Sequence, residues 1–117
     1  MQQNGGGVMN FQVEKNGSSV TLRLKERKLD STISPELKGE FLILCKPKVE
    51  TLNVDLHDVE FCDSSGLSAL LIAERKMKEH GGKVVLRNVH KNVHNLIKIS
   101  MLDRVFEIHE ARTAPKH

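Results

Sequence analysis

The stretch Val59-Glu60-Phe61-Cys62-Asp63-Ser64-Ser65-Gly66-Leu67-Ser68-Ala69-Leu70-Leu71, residues 59–71, decides the fold of this chain. Val59 to Cys62 reads as the end of a strand, and Asp63-Ser64-Ser65-Gly66 opens a helix. That helix begins near Ser64 and runs to His80, where Gly81-Gly82 stops it. A strand that turns straight into a helix belongs to a βαβ unit, which requires parallel strands with helices packed on the sheet. In open α/β sheets such strand-to-helix turns are also where function usually sits.

Upstream of this stretch, Leu52, Val54 and Leu56 alternate with Asn53 and Asp55, a strand that runs on towards Phe61. Before it, Ser34-Pro35-Glu36 starts a helix, with Ser34 as N-cap, Pro35 at the first helical position and Glu36 at the positive end of the dipole. Ile33, Leu37, Phe41, Leu44 and Cys45 fall on one stripe of that helix, and Pro47 ends it. Earlier still, Met9, Phe11 and Val13 alternate with polar residues, as do Val20, Leu22 and Leu24. Asn16-Gly17 lies between the two runs and marks a hairpin.

Downstream, Lys83 to Arg87 carries the apolar run Val84-Val85-Leu86 of a buried strand. A helix over Lys91 to Ser100 turns Val93, Leu96 and Ile97 inward, and Val105 to Ile108 forms a last short strand. Residues 1–7 read as a flexible leader and residues 110–117 as a flexible tail, leaving one domain over 8–109. The predicted order is β-β-α-β-α-β-α-β. It describes an α/β domain with a mixed β-sheet, parallel βαβ units, packed helices and right-handed crossovers.

A chain of 117 residues buries roughly 65% of its unfolded surface, enough for one aliphatic core. Four Phe and no Trp or Tyr leave no stacking platform for single-stranded nucleic acid. The net charge of +3 is spread: Arg75, Lys76 and Lys78 share a helix with Glu74 and Glu79, a solvated face. The expected partners therefore include no nucleic acid directly and no membrane. Cys45 and Cys62 form no CxxC and read as free buried thiols of a reducing compartment. The first residues lack the basic start and apolar stretch of a signal peptide, and the run Ala69 to Ala73 is too short to span a bilayer. A cytoplasmic location is the expectation.

Chemically, the junction at Asp63-Ser64-Ser65-Gly66 is anion-friendly, because a helix N-terminus offers unpaired N–H groups and partial positive charge. Two exposed hydroxyls there are candidate phosphate acceptors, and Gly66 leaves the backbone open to close approach by a partner. The competing reading is that Asp63 or Ser64 merely caps the helix. No G-x-S-x-G elbow, aligned His and acid pair or phosphate-binding loop is present, so no catalytic residue and no cofactor is assigned. His90 and His94 have ligand spacing but no third ligand, and read as solvent-exposed. The apolar start Leu67 to Ala73 is either buried under the first helix or an exposed partner patch; Cys62 is either core or a redox sensor.

The same residues 59–71 resemble the signature of STAS domains of the anti-sigma factor antagonist kind. Leu29-Asp30 before the first helix, Gly81-Gly82 before Val84-Val85-Leu86, and Leu96-Ile97 with Ser100-Met101-Leu102 agree with it in order and spacing. The resemblance implies a STAS fold and a non-enzymatic partner-switching cycle. The dephosphorylated antagonist binds an anti-sigma factor that is also a serine kinase of the histidine-kinase-like ATPase fold, and so frees a sigma factor. The kinase phosphorylates the first Ser of the motif, here Ser64, and a PP2C-type phosphatase reverses the mark. Asp30, Asp63, Ser65, Gly66 and Leu67 are the implied partner-binding set. One departure stands out: Arg27-Lys28 occupies the place where the family often has Gly-Glu. The alternative is a STAS accessory subunit of a transport complex, of the lipid-transport ATPase type, bound constitutively to its partner.

Overall fold

The computed structural model describes residues 9–111; the expected leader at residues 1–7, and residues 112–117 of the expected tail, lie outside the described residues. The chain opens with a hairpin, β1 (Phe11–Asn16) and β2 (Ser19–Leu24), paired antiparallel from Phe11↔Leu24 to Asn16↔Ser19. Gly17 supplies the left-handed φ of +64° that this tight turn needs. The path continues through β3 (Lys28–Leu29), α1 (Ser34–Leu44), β4 (Thr51–Asp55), β5 (Phe61–Cys62), α2 (Ser64–Lys78), β6 (Lys83–Val89), α3 (Lys91–Ile99) and β7 (Glu107–Glu110). The main sheet has the order β1-β2-β4-β6-β7, and every pair after the hairpin is parallel. This is the mixed α/β architecture that the hydrophobic pattern predicts.

The core lies between one sheet face and the helices. Leu22, Leu24, Leu52, Val54 and Leu86 from the strands meet Leu37, Phe41 and Leu44 of α1, Leu70, Ala73 and Met77 of α2, and Val93 and Ile97 of α3. Each large side chain so buried contributes about 1.5–3 kcal/mol. The stripe predicted on α1 is fully buried, Cys45 included. α1 packs against α2, and Leu67, Ala69, Leu70 and Ala73 are all buried, so the apolar start of α2 is core and not a partner patch.

Three local expectations fail for identifiable reasons. The strand read from Leu52 towards Phe61 breaks after Asp55, whose Oδ1 accepts from the His57 N–H at 3.0 Å. Phe61 and Cys62 instead pair with Lys28 and Leu29 as a separate two-stranded parallel sheet. Ser34 is the first residue of α1 rather than its cap: the Ile33 and Ser34 N–H groups both donate to Asp30 O, closing the turn earlier and leaving Ile33 as a cap without a side-chain bond. The last strand is Glu107–Glu110, because a turn from Val105 N to Leu102 O precedes it. Asn53 is buried on the polar side of β4, where Nδ2 donates to Ser19 Oγ (3.1 Å) and Oδ1 accepts from Arg87 Nε (2.9 Å). Among the described residues no helix is long and apolar enough to cross a membrane.

Candidate functional site

β5 delivers the chain into α2 through Asp63, which has extended backbone (φ −115°, ψ −173°) and is the N-cap. Its Oδ1 accepts from the Ser65 N–H at 3.0 Å, the Ser65 hydroxyl at 2.6 Å and the Gly66 N–H at 3.1 Å. These donors favour the charged carboxylate and hold its pKa below the ordinary aspartate value, the Ser65 hydroxyl contributing most and burial opposing it. The Leu67 N–H then donates to Asp63 O and starts the helix. The capping role therefore falls to Asp63 alone.

Ser64 and Ser65 are chemically equivalent in sequence and different in structure. Ser65 is half-buried with its hydroxyl committed to Asp63. Ser64 is exposed, and its hydroxyl makes no hydrogen bond among the described residues. Only one of the two expected free hydroxyls is thus free. The first-turn N–H groups of Ser65, Gly66 and Leu67 are also committed, so an anion at Ser64 would meet the helix dipole rather than a cluster of open donors.

Asp30 stands beside this turn. The pairing Leu29↔Cys62 sends Asp30 and Asp63 out of adjacent parallel strands, and the Asp63 N–H donates to Leu29 O at 3.2 Å. Asp30 Oδ1 accepts from the Thr32 N–H (3.0 Å) and hydroxyl (2.6 Å), which lower its pKa against a raising contribution from the Asp63 charge. Asp30, Asp63, Ser64 and Ser65 therefore share one surface.

Gly66 and Leu67 do not join it. A Cβ at Gly66 would lie 2.5 Å from Leu29 O, 2.7 Å from Leu29 Cγ and 2.8 Å from Cys62 Sγ. The close approach that requires glycine is made by the chain's own β3, not by a partner. Leu67 is 4% exposed and packs in the core. Cys62 is core as well: burial, with Asp63 adding to it, pushes its thiol pKa up to about 12. Both cysteines are free thiols, and burial raises Cys45 to about 11. Neither is poised as a thiolate sensor.

The family model described as "Mlab, STAS domain" matches residues 11–108. The chain belongs to the STAS domain family. Its fold is that of the Bacillus cell fate determinant SpoIIAA, an anti-sigma factor antagonist. The unphosphorylated form is 22% identical, with a TM-score of 0.73 and 90% of each chain covered. The phosphorylated form is 21% identical, with a TM-score of 0.67 over 90% of this chain and 93% of that one. An anti-sigma factor antagonist from Mycobacterium paratuberculosis is 25% identical, with a TM-score of 0.72 over 87% of this chain and 86% of that one. The fold also occurs within the murine anion transporter Slc26a9, at 18% identity and a TM-score of 0.70, over 85% of this chain and 17% of the transporter.

Around the junction of this STAS domain lie further groups, among them Phe61, to which the sequence pattern gave no role. Phe61 is 51% exposed, beside Lys28 in the β3–β5 register. Strand alternation offered the signal: with Cys62 inward, Phe61 must point outward. Arg27 Nη2 pairs with Glu60 Oε1 at 3.1 Å on the surface. His90 precedes α3 as its N-cap residue with its ring against His57 O, whereas His94 pairs with Glu110, so the two histidines face different partners. Among the described residues no group of three His, Cys, Asp or Glu is placed to hold a metal ion.

Proposed function

We propose that this STAS domain is an anti-sigma factor antagonist: a cytoplasmic protein-binding switch rather than an enzyme. One observation carries the reading: Ser64 is an exposed, uncommitted hydroxyl on the first residue of α2, beside a neighbour whose hydroxyl is tied down. In the unphosphorylated state the domain binds an anti-sigma factor that is also a serine kinase and releases a sigma factor. Phosphorylation of Ser64 ends that binding, and a PP2C-type phosphatase restores it. Asp30, Asp63 and Ser65 border the acceptor, while Gly66 and Leu67 serve it by pressing α2 onto β3. SpoIIAA shares this fold in both its unphosphorylated and phosphorylated forms, which supports a mark that leaves the domain folded.

The energetics suit such a switch. A phosphate adds a charge of about −1.5 to −2 at a helix N-terminus, where the dipole favours it and the fold tolerates it. At an interface the same charge stands beside Asp63 and Asp30, and a loss of about 2.8 kcal/mol weakens binding roughly a hundredfold. Incubation with ATP and a candidate histidine-kinase-like ATPase, followed by mapping of the label, tests the proposal. Label is expected on Ser64 and absent from Ser64→Ala; label elsewhere, or undiminished in Ser64→Ala, overturns the assignment.

A second reading, a constitutive STAS accessory subunit of a transport complex, draws support from the Mlab description of the family model and from the fold's occurrence in an anion transporter. It predicts that Ser64→Asp leaves partner binding unchanged.

A further inference from the structure

The two edges of the main sheet are built differently. At one edge β7 is short, a bulge between Leu86 and Val89 interrupts its pairing with β6, and its carboxylates are engaged, Glu107 by Lys83 and His109 and Glu110 by His94. Such features keep an edge from pairing with another chain. At the other edge β1 pairs with β2 along its whole length, with no bulge and no proline. Asn10 O accepts from the Lys25 N–H, so the backbone groups of Asn10 and of every second residue after it turn towards β2. Those of Phe11, Val13 and Lys15 turn outward, to the open edge.

One flank of α1 faces the same way. Glu36, Glu40 and Ile43 recur at i, i+4 and i+7 and share that flank, while Lys38 projects from the other. Glu36 Oε1 accepts from the Met9 N–H at 3.0 Å, which turns this flank towards the start of β1. α1 carries the chain back between the parallel strands β2 and β4, so it runs against β2, as β1 does. From Met9 to Val13 the strand advances about 13 Å, the rise of about nine helical residues. Counted from Glu36, Val13 therefore lies level with the turn from Ile43 to Cys45. Ile43 is 58% exposed there, and Val13 is only partly buried. By the same count Phe11 lies level with Glu40, and Lys15 with the end of α1, by Lys46 and Lys48. This side of the molecule thus has an acidic end, Glu36 and Glu40, and a basic end, Lys15, Lys46 and Lys48. Glu40 and the three lysines form no ion pair among the described residues. Partial burial, then the Glu36 charge, raises the Glu40 pKa above the ordinary glutamate value.

We propose that β1 pairs antiparallel with β1 of a second copy about a two-fold axis at Val13, joining the two main sheets edge to edge with the α1 flanks facing across the seam. In this register Val13 exchanges N–H and C=O bonds with Val13 of the second copy, and Phe11 with Lys15. Moving the axis on by one residue sets Glu14 against Glu14, and by two sets Lys15 against Lys15, whereas like charges directly opposite destabilise a sheet. Moving it back leaves Lys15 without a strand partner in β1. The two-fold also brings the acidic end of each flank to the basic end of the other and Ile43 to Ile43. A lone peptide strand on this edge would use the same backbone groups and leave Ile43 and these charges uncovered; a second copy covers them. A seam of one strand and one helix flank is at the lower end of stable interfaces, about 1,200 Å² in total, so the dimer is a micromolar one. Asp63 and Ser64 lie outside the seam, and each dimer presents their surface twice.

The test is sedimentation velocity of the full-length protein from low micromolar to near-millimolar concentration, with 15N-edited NMR spectra of the same dilution series. A monomer–dimer equilibrium is expected, with concentration-dependent shifts at the Phe11, Val13, Lys15 and Ile43 amides. Val13→Pro removes an N–H that only the dimer uses, and Ile43→Glu sets like charges across the axis. Each should raise the dimer Kd by about tenfold or more. Ile43 is exposed, so its variant tests the proposal even where Val13→Pro disturbs β1. A monomer throughout the series, shifts confined to β7 or to other elements, or an unaltered Kd in Ile43→Glu overturns it. Kinase labelling of Ser64 is a separate readout: Ile43→Glu should leave it intact, so the dimer and the switch stand or fall independently.

Discussion

Asp30-Ser31-Thr32 and Asp63-Ser64-Ser65 form the same turn twice. In each, the aspartate Oδ1 accepts the N–H two residues on at 3.0 Å and the hydroxyl of that residue at 2.6 Å. The turns leave the paired strands β3 and β5 side by side. They differ in how soon a helix starts. Asp63 holds a third donor, the Gly66 N–H, and α2 begins at Ser64 itself. After Asp30 the helix waits until Ser34, with Ile33 at its cap and no side-chain bond. A shared Asp-Ser-hydroxyl pattern makes the turn, but only the second turn places its central serine on a helix N-terminus. The residue after each hydroxyl also differs: Ile33 follows Thr32, whereas Gly66 follows Ser65 and lets α2 lie against Leu29.

The harshest way to break this comparison is to fill that space. In Gly66→Ala the new Cβ meets a backbone oxygen, which cannot swing aside, and overpacking of this kind costs about 1–3 kcal/mol. Gly39 in α1 has nothing within 4 Å of its Cβ position, so Gly39→Ala should instead stabilise by up to about 1 kcal/mol. Urea denaturation of both variants measures the contrast. Equal effects would mean that α2 can shift off β3 without loss.

Removing the aspartates is the next test. Asp63→Ala strips the N-cap from α2 and should cost about 1–2 kcal/mol in urea denaturation. Asp30→Ala should cost less, because no helix end depends on that side chain. A larger loss at Asp30 would reverse the ranking of the two turns.

The pH dependence sharpens the same contrast. Hydrogen bonding, above all from the Ser65 hydroxyl, depresses the Asp63 pKa below that of the unfolded chain, about 3.9. The stabilisation is therefore fully present above about pH 4 and is lost as pH falls through the lower folded value. Asp63→Asn does not titrate, so the stability gap between wild type and variant should narrow as pH falls below about 4. Asp30 is shifted in the same direction, chiefly by the Thr32 hydroxyl, and Asp30→Asn should show the same trend. A gap that widened on acidification would place the folded Asp63 pKa above the unfolded one.

Much of this was legible in the sequence because the signals are local. The Asn16-Gly17 hairpin, the stripe Leu37-Phe41-Leu44 and the strand-to-helix junction each declare themselves within a few residues. β3 did not, since a strand of two residues has no period to read, and β5 was legible only as the end of the strand before it; the two exist through each other. Asp63 and Ser64 are both good caps by type, so only backbone geometry could award the role to Asp63 and leave Ser64 free. Gly66 announced a close approach without saying by whom, and Leu67 belongs to the recognisable motif while lying in the core. Motif membership measures what a family keeps, which includes packing as well as contact.

The smallest expected effect separates the two serines within one turn. Ser64 is exposed and makes no internal hydrogen bond, so Ser64→Ala should leave stability within about 0.5 kcal/mol of wild type. Ser65 donates its hydroxyl to a charged carboxylate at 2.6 Å, and Ser65→Ala should cost about 1 kcal/mol. The two variants also differ in a readout that stability alone does not give. Because the Ser65 hydroxyl is the largest cause of the lowered Asp63 pKa, Ser65→Ala should move that pKa back up, whereas Ser64→Ala should leave it in place. Carboxyl-detected NMR titration of Asp63 follows both. If Ser64→Ala moved the Asp63 pKa and Ser65→Ala did not, the hydroxyl committed to the cap would be that of Ser64. The free acceptor would then be Ser65, and the assignment of the switch would move by one residue.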